Sequence, residues 1–82
     1  MMDKGYKGIF SKMGEGLLEK FIEDLKKELQ ERPEDPDLLF KLGVAYSRAG
    51  KVEEAREVYK KLREIDKEKA KELLDIIYGV YM

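Results

Sequence analysis

The chain has 82 residues, 17 of them basic and 18 acidic, and contains neither Cys nor His. That length holds one domain with a modest core, and the missing residue types exclude disulfides, thiolate chemistry and the usual transition-metal ligands. The charges are interleaved with no basic stripe and no apolar run nears the roughly 20 residues of a membrane helix, so the expectation is a cytoplasmic protein without nucleic-acid capture, secretory leader or membrane span.

Hydrophobic and charged residues each make up 43% of the chain, and the prominent types are Leu, Glu and Lys, a mixture that forms helices rather than strands. The abundance of Lys and Glu also fits a hyperthermophile source. A core this small needs reinforcement, and without disulfides or metal that leaves self-association or partner binding.

Residues 1–16 carry Gly5, Gly8, Gly14 and Gly16, too many for a stable isolated helix. Tyr6, Ile9, Phe10 and Met13 nevertheless recur as a helical stripe, so this segment reads either as a flexible tail or as a short helix ordered by docking. A first regular helix is expected over about 17–32, with Leu18, Phe21, Ile22, Leu25 and Leu29 on one face. Glu23 and Lys27 have the spacing of an i,i+4 ion pair on the other. Pro33 and Pro36 end this helix.

A second helix is expected over 36–49, with Asp35 as N-cap, Pro36 in its first turn and Gly50 as left-handed stop. Its apolar face is Leu39, Leu42, Gly43, Tyr46 and Ala49. The third, over 52–65, turns Val52, Ala55, Val58, Tyr59, Leu62 and Ile65 inward, with Glu53 and Glu54 early and Lys60, Lys61 and Arg63 late, as the helix dipole favours. Asp66 caps a fourth helix over 67–80, where Ala70, Leu73, Leu74, Ile77 and Tyr81 form one stripe and Ile76 and Val80 lie outside it. Such short connections make successive helices antiparallel. The fold class is therefore all-α.

The spacing Leu39-x-x-Leu42-Gly43-x-x-Tyr46 followed by Ala55-x-x-x-Tyr59 resembles the tetratricopeptide repeat. Gly43 and Ala55 are the small residues that let two antiparallel helices approach, and Leu39, Leu42, Tyr46 and Tyr59 fill the space around them. The resemblance covers one full repeat at about residues 36–67. A degenerate half-repeat precedes it, in which Phe21 stands at the place of Ala55, and a capping helix follows it, in which Ile77 replaces the close-contact glycine. It departs from the family at Lys67, where a repeat usually closes with Pro. The implied architecture is four helices in a right-handed superhelical or bundle arrangement, with 17–82 as the repeat domain.

Nothing in the chain assembles a catalytic constellation: Ser47 has no neighbouring His, and the carboxylates are spread along solvated faces. No enzyme activity, metal or cofactor is expected. What the resemblance implies is protein–protein interaction, with the first helix of the repeat lining a concave groove for a helix or extended peptide. Carried onto this chain, the groove residues are Asp37, Phe40, Lys41, Val44, Ser47 and Arg48. Phe40 and Val44 stand where clamps for acidic C-termini present Lys and Asn, so that specificity is not expected. An apolar centre edged by Lys41 and Arg48 suits an amphipathic helix or apolar peptide. The alternative is that this protein's own N-terminal helix fills the groove. On the last helix Ile76, Tyr78, Val80 and Tyr81 form a candidate homodimer face, against core packing as the simpler reading. A third reading attaches residues 4–20 to a lipid surface through Tyr6, Ile9, Phe10 and Met13.

Overall fold

A computed structural model describes the backbone of residues 2–79 and the side chains of residues 16–79. Four helices succeed one another: α1 (Met2–Glu31), α2 (Pro36–Arg48), α3 (Val52–Ile65) and α4 (Lys67–Tyr78). α1 is continuous from Met2 through the four glycines.

Each junction has a local cause. Asp35, extended at φ −75° and ψ 114°, accepts hydrogen bonds from the Asp37 and Leu38 amides, so α2 starts with two of its unpaired donors satisfied. At the other end of α2, the Lys51 amide donates to the Tyr46 carbonyl (2.9 Å) and the Gly50 amide to Ser47 (3.1 Å). With Gly50 at φ +78° this is a Schellman closure, which needs a left-handed residue there. α3 begins at Val52, and its N-cap residue Lys51 makes no side-chain cap hydrogen bond. Asp66 alone joins α3 to α4; its backbone closes the one and its carboxylate accepts from the Lys69 amide of the other. α4 ends at Tyr78, because Gly79 takes φ +60° and caps it.

The helices pack as a stack. α2 touches α1, α3 and α4, and α3 touches α4. The core therefore gathers around α2, from Ile22 and Leu25, Leu38, Leu39, Leu42 and Ala45, Val58 and Leu62, and Ala70 and Leu73. Leu38 and Ala45 were not on the expected face of α2. They are buried because α2 has neighbours on more than one side, which a single stripe does not report.

Three expected core residues are corrected. Phe21 is 44% exposed, Val52 40% and Ile65 37%. α1 turns Ile22 and Leu25 onto α2, which leaves Phe21 on its flank, while Val52 and Ile65 stand at the two ends of α3. The ion pair on α1 joins Lys20 to Asp24 at 3.7 Å, rather than Glu23 to Lys27. Tyr81, expected on the α4 stripe, lies outside the described residues.

Candidate partner-binding surface

The six groove residues fall on the side of α2 away from its buried Leu38, Leu39, Leu42 and Ala45. Asp37, Lys41 and Arg48 are exposed, whereas Phe40, Val44 and Ser47 are half-buried. Phe40 and Val44 pack against the core from above. The result is a shallow apolar strip along α2, bordered by charge.

α4 forms the neighbouring wall. Its Lys69 ammonium sits 3.4 Å from Asp37 Oδ1 and 5.7 Å from the centroid of the Phe40 ring. One cation thus bridges the carboxylate and the ring face, an arrangement worth about 0.5–1 kcal/mol for the ring contact where it is partly solvated. Asp66 helps aim it, since the carboxylate that caps α4 holds the Lys69 amide at 3.0 Å. Lys69 was not among the residues expected here. Seeing it requires knowing that α4 runs alongside α2, and the one available signal was its position three residues after the Asp66 cap.

The repeat-packing residues lie beneath this strip. Leu39, Leu42, Gly43 and Ala55 are buried, and Tyr46 and Tyr59 half-buried. A Cβ on Gly43 would stand 2.5 Å from Leu73 Cδ2 and 2.7 Å from Cδ1, so the bare glycine is what admits the Leu73 side chain against α2. Arg63 lies over the Tyr59 ring at 5.5 Å.

In the candidate oligomer face, Ile76 is half-buried and Tyr78 is 52% exposed, and Val80 and Tyr81 lie outside the described residues. Two positions apart on a helix, Ile76 and Tyr78 do not face the same way. Ile76 follows Lys69 by seven residues, hence on the α2-facing stripe, and Tyr78 points elsewhere.

Two clefts open on a different side, between α1 and the α2–α3 hairpin. The first, about 770 Å³, is lined mostly by charged residues with Tyr46 at its base. The second, about 580 Å³, has Leu29, Leu39, Leu42 and Val58 for a floor and Glu57, Lys60, Lys61 and Glu64 for a rim. Neither includes any of the six α2 groove residues. These clefts arise because α1 and α3 are held together only through α2. Among the described residues no group of three or more acidic side chains is placed to hold a metal ion, and no helix is long and apolar enough to cross a membrane.

The arrangement of contacts is that of a helix-pair array: α2 pairs with α3, α4 stacks on both, and α1 stands on α2 as the second helix of a preceding pair would. A family model described as tetratricopeptide repeat matches residues 14–76. The chain belongs to the tetratricopeptide-repeat family. The match takes in residues 14–31 of α1 and most of α4 as well as the α2–α3 hairpin, so both flanking helices are part of the repeat array. Neither a curated protein nor a solved structure matches the chain.

Proposed function

We propose that this tetratricopeptide-repeat domain is a non-catalytic protein-interaction module that holds a helix or extended peptide along the α2–α4 side. Phe40 and Val44 supply the apolar contact, and Asp37, Lys41, Ser47 and Arg48 the polar border. Membership of the family supports the general role, since these repeats typically bind other polypeptides. The observation that carries the choice of surface is the half-buried Phe40–Val44 strip with Lys69 laid over its ring. A shallow strip of this kind fits an elongated ligand better than a small molecule, which prefers an enclosed cavity.

The test is selection of binders from displayed libraries of amphipathic-helical and extended peptides, followed by amide-shift mapping on the full chain. Shifts centred on Phe40, Val44, Ser47 and Lys69, with binding lost in Phe40→Glu, are expected. Shifts confined to the α1–α3 cleft, or binding indifferent to Phe40→Glu, would overturn the assignment. A second reading is a self-associating structural protein without an external ligand, and what favours it is large apolar side chains exposed on α1 and α4.

A further inference from the structure

α3 carries Val52, Arg56, Tyr59 and Arg63 at i, i+4, i+7 and i+11, the spacing of one stripe along a helix. α4 repeats that spacing with Lys67, Lys71, Leu74 and Tyr78. Asp66 alone separates the two helices, so they run antiparallel and side by side. The surrounding contacts place both stripes on one face. α3 turns Glu57, Lys60, Lys61 and Glu64 to the cleft beside Leu29 of α1, which leaves its Tyr59 side for α4. On α4, Lys69 faces Asp37 and Phe40 of α2 while Leu73 meets Gly43, which leaves the Leu74 side for α3.

This face differs in charge from the rest of the chain. Its four cations, Arg56, Arg63, Lys67 and Lys71, are exposed, and among the described residues none of them is ion-paired. No acid stands on either stripe. Glu54, Glu57 and Glu64 lie toward α1, and Glu72 shares the Lys69 flank toward α2. Glu53, Glu68 and Asp75 border the stripes on the outward side of each helix. At the corner, the Asp66 carboxylate is engaged by the Lys69 amide. Along the sequence these cations are interleaved with acids in a chain of net charge −1, so only the packing of α4 on α3 gathers them.

Apolar surface is interleaved with the charge. Because the helices are antiparallel, Arg63 and Lys67 come to the Asp66 corner and Val52 and Tyr78 to the opposite end. Val52 is 40% exposed and Tyr78 52%, and Tyr59 and Leu74 between them are half-buried. The face is thus basic at one end, apolar at the other and mixed between, over the roughly 20 Å length of α3.

We propose that the α3–α4 face is a second docking surface, separate from the α2–α4 strip, and that its occupant is an acidic amphipathic segment of another polypeptide. Charge complementarity selects the acid, since four cations with no acid on their face attract carboxylates. The apolar side chains select an amphipathic segment: Tyr59 and Leu74 give it a floor, and Val52 and Tyr78 an anchor. Nucleic acid is the less suitable occupant. Bases stack on open aromatic faces, and Arg63 already lies over the Tyr59 ring at 5.5 Å. A lipid surface needs protruding apolar side chains along the whole face, and here they stand at one end only.

The experiment titrates the full chain into a labelled synthetic peptide of about 14 residues, a helix long enough to span the face, with Leu along one stripe and Glu on both sides of it. Fluorescence anisotropy should show saturable binding with a dissociation constant below about 100 µM. Raising NaCl from about 0.05 M to about 0.5 M should weaken it at least about tenfold, and replacing the peptide's Glu by Gln should do the same. The double variant Arg56→Glu/Lys71→Glu should keep its helical circular dichroism, since both side chains are exposed, and bind the Glu peptide at least about tenfold more weakly. Phe40→Glu, in the α2–α4 strip, should bind it unchanged. The proposal is overturned if the Glu peptide fails to bind at about 1 mM, if the Gln peptide binds equally well, or if the double variant keeps full affinity. Binding lost in Phe40→Glu but kept in the double variant would assign the peptide to the α2–α4 strip instead. Tighter binding of a single-stranded oligonucleotide, or of phosphatidylglycerol vesicles, that the double variant abolishes would overturn it in favour of nucleic acid or lipid.

Discussion

Replacing Gly43 by Ala sets two effects of similar size against each other, and the structure decides the sign. Alanine in a helix interior is favoured over glycine by about 1 kcal/mol. At this position, however, the new Cβ would lie 2.5, 2.7 and 3.1 Å from Leu73 Cδ2, Cδ1 and Cγ. Carbon atoms in contact prefer about 3.5–4.0 Å, so the overlap approaches an ångström. Leu73 is 0% exposed and cannot swing into solvent. Overpacking of this kind costs about 1–3 kcal/mol, which leaves a net destabilisation of roughly 1 kcal/mol, or about 4–8 °C in Tm for a domain of this size. Thermal and urea denaturation followed by circular dichroism would measure it. Leu73→Ala alone should cost about 2–5 kcal/mol through the cavity it leaves. In that background Gly43→Ala should turn stabilising, because the room Leu73 vacated accepts the methyl, and the cycle should show a coupling of about 2 kcal/mol. If Gly43→Ala raises Tm in the otherwise unaltered chain, the close approach of α4 to α2 is not what requires glycine there.

Gly16→Ala is the matching control: its Cβ would meet nothing within 4 Å, so helix propensity acts alone and stability should rise by about 0.5–1 kcal/mol in the same melts. Gly50→Ala should fall by about 1–2 kcal/mol although there is open space around it too, because φ +78° places a side chain in the left-handed region; an unchanged urea midpoint would argue that the α2 closure rearranges freely. Asp35→Ala removes the acceptor for the Asp37 and Leu38 amides and should cost about 1 kcal/mol, with the accompanying loss of hydrogen-exchange protection concentrated in the first turn of α2.

The sequence shows plainly those features that depend on neighbours along the chain. Asp35 and Asp66 as caps, Gly50 as a stop and the Leu39–Tyr59 spacing of the repeat are all local, and all are found in the structure. Periodicity also locates the buried stripe of each helix. It does not say how many neighbours a helix has. Leu38 and Ala45 were missed for that reason, since α2 is covered by three helices. Phe21, Val52 and Ile65 erred in the opposite direction, standing on flanks or ends where no neighbour arrives among the described residues. Gly79 was read through as helix, although its flexibility is what ends α4 one turn from the C-terminus. Lys69 illustrates the remaining gap: its contacts with Asp37 and Phe40 join two helices about 30 residues apart in sequence, a separation close to the repeat length. Only the stacking of α4 on α2 brings them together.

Of the exposed large apolar residues, Val52 and Ile65 stand at the ends of α3, while Leu17 and Phe21 on α1 and Tyr78 on α4 lie on the two outer helices of the stack. In an array of helix pairs these are the places where a further helix would add, so each end is able to receive one, and the geometry of that addition matters. If the α4 end of one copy met the α1 end of the next, the contact would be heterologous and nothing would close it; mass would grow with concentration. Pairing of one end with the same end of a second copy would use the same residues on both copies and close after two. On α4, Ile76 and Tyr78 face different ways, so that end of the stack presents no single apolar stripe. Closed pairing gives a species whose mass is constant with concentration, and open addition one whose mass grows.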